Sequence, residues 1–199
     1  MTKNPNVLKW IDEMKALVKP DKVVWIDGSE EQLEALRAEA CSTGEMYKLN
    51  QEQLPGCYLH RTDPNDVARV ENQTFICSRR KEDAGPNNWW DPKEAYAKLS
   101  GLFDGAMKGR TMYIIPYSMG PIGSPFSKVG VELTDSIYVV LNMAIMTRMG
   151  IQAFEHLGDT SNDFVRGLHS KATLDAANKY ICHFPEDNTI WSINSGYGG

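Results

Sequence analysis

The sequence lacks the features of a secreted, membrane-spanning or nucleic-acid-binding protein. Cysteine is scarce, with 4 residues in 199 and no CxxC pair, so we expect neither a disulfide framework nor a zinc knuckle, and we expect a reducing, cytoplasmic location. No apolar run approaches the roughly 18 residues of a membrane helix, and no signal peptide is recognisable. Lys and Arg number 21 against 26 Asp and Glu, which argues against nucleic acid or a membrane as the partner.

Motifs for nucleotide, metal and acyl chemistry are also missing. The sequence contains no GxxxxGK[ST] phosphate loop, and no GxGxxG follows a strand and opens a helix. It has no GxSxG, so a serine triad has no nucleophile elbow to rest on. The four histidines have no HExxH or other ligand spacing, and we therefore predict no metal site.

Hydrophobic periodicity predicts alternating helices and strands in a chain long enough to bury its own core. Apolar residues at helical spacing stop at Pro20, and an apolar run at 23–28 reads as a strand. Ser29 and Gln32 have the spacing of a capping box for the next helix. Later segments read as a helix from 91 to about 107, a strand, loop and strand over 110–135, a helix ended by Gly150, and three further strands. The pattern favours an α/β fold with a mixed β-sheet flanked by helices.

Two segments could hold an anion. Residues 105–130 contain Lys108, Arg110 and Lys128 but no acidic residue, although composition alone favours a basic loop that faces water. Residues 195–199 form a glycine-rich turn with an embedded tyrosine, whose backbone amides could approach a small anion closely. Terminal glycines are more often simply a tail.

Five segments carry a family resemblance, in the order HRTDPNDVARVENQTFICS, DAGPNNW, GRTMYIIPYSMGPIGSPFSKVGVELTDS, MTRMG and SGYGG. Together they resemble the N-terminal part of GTP-dependent phosphoenolpyruvate carboxykinase over residues 23–199. Enzymes of that family convert oxaloacetate and GTP into phosphoenolpyruvate, GDP and CO2 in gluconeogenesis, with Mn2+ at the active site and Mg2+ on the nucleotide. The resemblance implies that residues 1–199 are one substrate-side domain, ending before the nucleotide-binding domain.

The resemblance also assigns roles to particular residues. The arginine of the DVAR motif, Arg69, matches the arginine that binds the substrate carboxylate, and Tyr197, Gly198 and Gly199 match the substrate-contacting Tyr-Gly-Gly. Glu71 matches an acidic residue that helps to hold the family's lid closed. From the residues alone, the favoured interpretation of Arg69 is a surface arginine paired with an acidic neighbour, Asp66 or Glu71.

The family's metal ligands, phosphate loop and guanine pocket would lie beyond Gly199. The resemblance therefore implies no complete catalytic set and no cofactor in this chain, which alone would be inactive, with oxaloacetate or phosphoenolpyruvate and the C-terminal domain of the same enzyme as partners. An exposed docking surface could also make it dimerise. The alternatives are a stand-alone, non-catalytic dicarboxylate-binding homologue and one half of a split enzyme. Asn194 stands where the family usually has glycine.

Overall fold

The computed structural model describes residues 1–64, 66 and 70–196, and within them lie five α-helices and ten β-strands. The helices are α1 (Pro5–Val18), α2 (Glu30–Ser42), α3 (Pro92–Phe103), α4 (Ile137–Met146) and α5 (Ile151–Leu157). The strands are β1 (Lys22–Trp25), β2 (Met46–Lys48), β3 (Tyr58–His60), β4 (Thr74–Ile76), β5 (Thr111–Met119), β6 (Lys128–Thr134), β7 (Arg148–Met149), β8 (Val165–Ser170), β9 (Tyr180–Phe184) and β10 (Thr189–Ile193). No helix of this described part is long and apolar enough to cross a membrane.

The main sheet is mixed, as the sequence predicts. Its order is β1-β5-β6-β8-β10-β9-β4, with β7 paired to β5. The pairs β1/β5, β6/β8, β8/β10 and β4/β9 are parallel, and β5/β6, β9/β10 and β5/β7 are antiparallel. Strands β2 and β3 form a separate antiparallel pair. The predicted fold class, an α/β fold with a mixed sheet flanked by helices, is confirmed.

Helices cover both faces of the main sheet. On one face α1, α3 and α5 bury an apolar cluster that includes side chains of β5, β6, β8, β9 and β10. On the other face α2 and α4 pack against β1 and β5, and none of the described β8, β9 or β10 residues belongs to that second cluster. The second pair of helices therefore covers only one half of its face.

The N-terminal helix shows how local sequence sets its ends. The Asn4 side chain accepts hydrogen bonds from the backbone N–H groups of Asn6, at 2.9 Å, and Val7, at 3.3 Å, which satisfies two donors that the first turn leaves free. Lys19 then turns into the left-handed region, with φ of 53°, ahead of Pro20. The predicted helix with its stop at Pro20 is confirmed.

Only one of the two hydrogen bonds of the capping box predicted for α2 is formed. The Gln32 N–H donates to the Ser29 hydroxyl oxygen at 3.3 Å, but the Gln32 side chain does not bond back to Ser29. It accepts from the Asp27 N–H at 2.9 Å and donates to the Trp25 carbonyl oxygen at 2.8 Å. Gln32 therefore ties the helix to the end of β1.

The prediction that one helix runs as far as Gly150 is wrong. Helix α4 ends at Met146, and the chain forms β7 along the part of β5 that β1 leaves unpaired. The Gly150 N–H donates to the Pro116 carbonyl oxygen at 2.8 Å, which fastens this short strand. Met146, the last residue of α4, is 65% exposed.

Candidate functional site

A buried carboxylate joins two distant parts of the chain. Asp66 lies between β3 and β4 and is only 3% exposed. Its Oδ1 accepts from the Lys179 ammonium at 2.7 Å and from the Ser195 hydroxyl at 3.1 Å. Its Oδ2 accepts from the backbone N–H of Gly196 at 2.6 Å. All three donors lie more than a hundred residues further along the chain.

The sheet brings these donors together. Lys179 precedes β9 and Ser195 follows the end of β10, and the antiparallel register of the two strands pairs Tyr180 with Ile193. The two donors therefore leave the sheet at the same end. A Cβ atom at Gly196 would lie 2.6 Å from Asp66 Oδ2, so the close approach requires glycine at that position.

Asn194 shapes the turn between β10 and Ser195. Its φ is 63°, a left-handed conformation that asparagine tolerates better than most residues. The side-chain oxygen accepts from the N–H groups of Thr173 and Asp175, both at 3.2 Å, and the side-chain nitrogen donates to the Asn178 carbonyl at 2.9 Å. Asparagine at this position therefore adopts the left-handed turn, and its side chain also bonds to the loop that precedes β9.

His169 contacts the backbone of the same turn through its imidazole ring. Its Nε2 lies 2.7 Å from the Ser195 carbonyl oxygen and its Nδ1 2.7 Å from the Thr134 hydroxyl. Because a carbonyl only accepts, Nε2 carries the proton and Nδ1 accepts from Thr134. Burial lowers the pKa of His169 below its ordinary value of 6.5, since a charged ring would lose its hydration. The neutral ring therefore fits both neighbours.

A polar cleft of about 400 Å³ opens beside Asp66, and we call it the Asp66 cleft. Cationic and anionic side chains share its wall, and Lys171 Nζ lies 3.2 Å from Glu45 Oε1. The His60 ring stacks on Tyr138 with centroids 3.8 Å apart. Such a wall suits a small polar ligand better than an apolar one. The lining residues are Thr43, Gly44, Glu45, His60, Arg61, Thr62, Asp63, Asp66, Ser136, Lys171, Leu174 and Gly196.

The cationic stretch at 105–130 does not form an open anion site. Arg110 donates to Asp135 at 2.6 Å, and Lys128 pairs with Asp163. The Asp135 carboxylate also accepts from Ser170 at 2.8 Å. Two of the three cations in this stretch thus face carboxylates in the described structure. The interpretation of the stretch as a basic loop that binds no ligand is therefore the better supported one.

Glu132 is a second buried carboxyl, on β6, aligned with Ile115 of β5 and Gly167 of β8. Its side chain occupies the space above Gly167 that a larger residue would fill. No described residue hydrogen-bonds to this carboxyl. Burial raises the pKa of Glu132 to about 8, so near pH 7 the group is mainly protonated.

Four large apolar side chains are exposed where β5 ends, and we call them the exposed apolar patch. Met119 ends β5 and Phe126 lies in the loop to β6. Ile145 and Met146 end α4, just before β7 pairs with β5. Their exposed fractions are 52%, 94%, 82% and 65% in that order.

Comparison with known proteins identifies the family. A family model for the phosphoenolpyruvate carboxykinase N-terminal domain matches residues 9–199. The chain belongs to this family. It is 58% identical over 199 residues to the phosphoenolpyruvate carboxykinase (GTP) of Anaeromyxobacter dehalogenans strain 2CP-C, 51% identical over 210 residues to that of Corynebacterium kroppenstedtii, and 48% identical over 210 residues to that of Corynebacterium glutamicum strain ATCC 13032. Each match covers all of this chain but only 33% or 34% of the relative, so the chain spans about a third of the carboxykinases it matches.

The carboxykinase residues predicted to bind substrate, Arg69, Tyr197, Gly198 and Gly199, lie outside the described residues. Their sequence neighbours Asp66 and Gly196 are described and are hydrogen-bonded to each other. Among the predicted site residues the structure describes Glu71, which is exposed and begins the 3-10 helix Glu71–Gln73. Its carbonyl oxygen accepts from the Asn88 side chain at 2.7 Å, and it lines a separate cavity of about 510 Å³. Its role at the lid stays a prediction.

The described residues do not fit the Mn2+ that the family resemblance implies. No group of three or more His, Cys, Asp or Glu side chains among them could hold a metal ion. The Asp66 carboxylate is paired with the Lys179 ammonium, so its negative charge is already balanced without a metal ion. We therefore assign no metal ligand to residues 1–64, 66 or 70–196.

Sequence reasoning missed Asp66 and Lys179. Asp66 was considered only as a surface partner for Arg69, and it is instead buried against Lys179, 113 residues away. No periodicity or motif in the sequence pairs two residues at that separation. The available signal was that Asp66 is the first residue of the DVAR motif and that Ser195 lies two residues before the Tyr-Gly-Gly.

Proposed function

We propose that this chain supplies the substrate-binding part of a GTP-dependent phosphoenolpyruvate carboxykinase, which converts oxaloacetate and GTP into phosphoenolpyruvate, GDP and CO2. The 2.6 Å hydrogen bond from Gly196 N–H to Asp66 Oδ2 carries the proposal. It joins the segment that leads into Arg69 to the segment that leads into Tyr197. These two segments hold the residues that the family resemblance assigns to substrate, and they meet beside a polar cleft.

In this proposal Arg69 binds a carboxylate of oxaloacetate or phosphoenolpyruvate. A guanidinium presents two parallel N–H donors that match both carboxylate oxygens, which fixes the orientation of the ligand as well as its position. The Tyr197-Gly198-Gly199 segment would contact the same ligand, because glycine backbone allows a close approach. Orientation matters here because decarboxylation leaves an enolate that must face the phosphoryl donor.

The remaining two thirds of the carboxykinase would supply GTP binding and the metals. When bound, Mn2+ and Mg2+ stabilise negative charge on the enolate and on the phosphates. The proposed partner of this chain is thus the C-terminal nucleotide-binding domain of the same enzyme. The chain alone should not catalyse phosphoryl transfer, since positioning and charge stabilisation of GTP are its main requirements. A cytoplasmic location and dimerisation through an exposed docking surface stay predictions.

A chimaera tests the proposed function. Residues 1–199 replace the matching segment of the Anaeromyxobacter dehalogenans enzyme, and oxaloacetate-dependent GDP formation is measured with GTP and Mn2+. We expect turnover by the chimaera, a higher KM for oxaloacetate when it carries Arg69→Lys, and no turnover by the 199-residue chain alone. Arg79→Lys, which changes an exposed arginine, is the matched control. A folded chimaera without turnover, or turnover by the isolated chain, would contradict the proposal.

A further inference from the structure

The ion pair between Asp66 and Lys179 is too deeply buried to be explained by stability alone. The two side chains are 3% and 2% exposed. Taking both charges out of water costs more than an exposed pair would, and an apolar pair of similar size often stabilises a fold as well or better. In some proteins a buried pair of this type specifies which segments lie together.

The hydrogen bonds to the Asp66 carboxylate constrain the position of residue 66 relative to the main sheet. Lys179, Ser195 and Gly196 all leave the same end of β9 and β10, and they hold both oxygens of one carboxylate. A charged acceptor shortens and strengthens each bond. The backbone at residue 66 is thereby fixed to the main sheet, although residues 61–63 and 66 themselves belong to no strand or helix.

We propose that Asp66 is a positioning residue for substrate binding, which anchors the Arg69-bearing segment to the end of β9 and β10. This inference rests on the proposed function. Arg69 follows Asp66 by three residues, a span of at most about 11 Å along an extended chain. Anchoring Asp66 therefore limits the volume that the Arg69 backbone can explore, and it lowers the entropy that is lost when a carboxylate binds.

The test compares oxalate binding and amide exchange in the 199-residue chain. The variants are Asp66→Asn and the double variant Asp66→Asn/Lys179→Met, which also removes the buried ammonium and so keeps the comparison possible if the single variant does not fold. Phe103→Leu, in the α3 core, is a control that lowers stability without touching the site. Oxalate affinity is measured by 15N NMR titration, and exchange is followed at the Gly196 amide.

We expect the Asp66 variants to bind oxalate at least fivefold more weakly and to lose protection at the Gly196 amide beyond the loss of global stability. Phe103→Leu should leave oxalate affinity unchanged, and it should lower protection at the Gly196 amide only as far as it lowers global stability. Arg69→Lys should also weaken binding less in the double variant than in the wild type, because the arginine is no longer positioned. General destabilisation would not produce this coupling.

Two results separate this inference from the proposed function. If the wild type binds oxalate, Arg69→Lys weakens that binding, and the folded double variant binds as the wild type does, the positioning role is wrong while the proposed function stands. If the wild type shows no oxalate binding, the proposed function fails and the positioning role fails with it.

Discussion

Glutamine at position 132 would keep the shape of the buried Glu132 carboxyl and remove its titration. Burial raises the pKa of Glu132 from the ordinary 4.5 to about 8. An acid whose pKa is raised in the folded chain stabilises the fold fully below about pH 4.5, and that contribution is lost as the pH rises through 8. Glu132→Gln should therefore flatten the dependence of stability on pH in the alkaline range.

The size of the effect follows from proton counting. Between pH 7 and 9 the folded chain holds on average about half a proton on Glu132, while the unfolded chain holds almost none. One pKa unit corresponds to about 1.4 kcal/mol, so the wild type should lose about 1.4 kcal/mol of unfolding free energy over this interval through Glu132. Glu132 is buried in the main sheet, so bulk solvent should screen this effect little.

Urea unfolding followed by tryptophan fluorescence at pH 7 and pH 9 measures the difference. The matched control is Glu155→Gln, which changes an exposed glutamate of α5 and should keep the pH dependence of the wild type. Equal pH dependence in the wild type and in Glu132→Gln would refute the reasoning, because it would mean that Glu132 titrates alike in the folded and unfolded chains.

Three further predictions concern stability and association. Gly150→Ala should cost at least about 2 kcal/mol in urea unfolding, because φ is 126° and the new Cβ would lie 2.5 Å from the Asp27 carbonyl oxygen. Gly101→Ala, in α3 with open space around it, should instead be neutral or stabilising by up to about 1 kcal/mol; a similar cost for both would contradict this. Burial lowers the pKa of His169 below 6.5, so the stability that the neutral ring contributes above that pH is lost as the pH falls. The Tm should therefore drop more between pH 7 and 5.5 in the wild type than in His169→Gln. Equal drops in the two proteins would disprove this prediction. The exposed apolar patch should bind a hydrophobic dye or promote dimers, and Phe126→Ser should reduce both; a monomeric wild type that binds no dye would count against it.

Local sequence predicted the elements whose signals are local. The stop of α1 at Pro20 and the strand pairs around 110–135 depend on residues close in sequence, so periodicity and turn residues sufficed. The end of α4 could not be predicted in this way. Strand β7 forms because β5 has backbone groups that β1 leaves unpaired, and that edge exists only once the sheet is assembled.

The candidate site was predictable only through its motifs. The resemblance singled out Arg69 and Tyr197 by their sequence context, and the structure adds that their neighbours Asp66 and Gly196 are hydrogen-bonded. The burial of Asp66 against Lys179 depends on the register of β9 and β10. The short turn at 185–188 sets that register locally. The packing of Asp66 against the open end of this hairpin joins residues more than a hundred positions apart, so it exists only in the assembled fold.

Titration of oxalate into the 199-residue chain, followed by NMR, tests the central claim that this family member binds a substrate carboxylate through Arg69. The wild type should bind weakly, with Kd about 1 mM or higher, since a single guanidinium in an open cleft is screened by water. Arg69→Lys keeps the charge but loses the paired donors and should bind more weakly still. A chain ending at Gly196 keeps the Asp66 hydrogen bond. It should bind nearly as well as the wild type, because the entropy that residues 197–199 lose on ordering at a chain end offsets most of what their contacts contribute. Loss of binding in that shortened chain, together with unchanged binding in Arg69→Lys, would contradict the account.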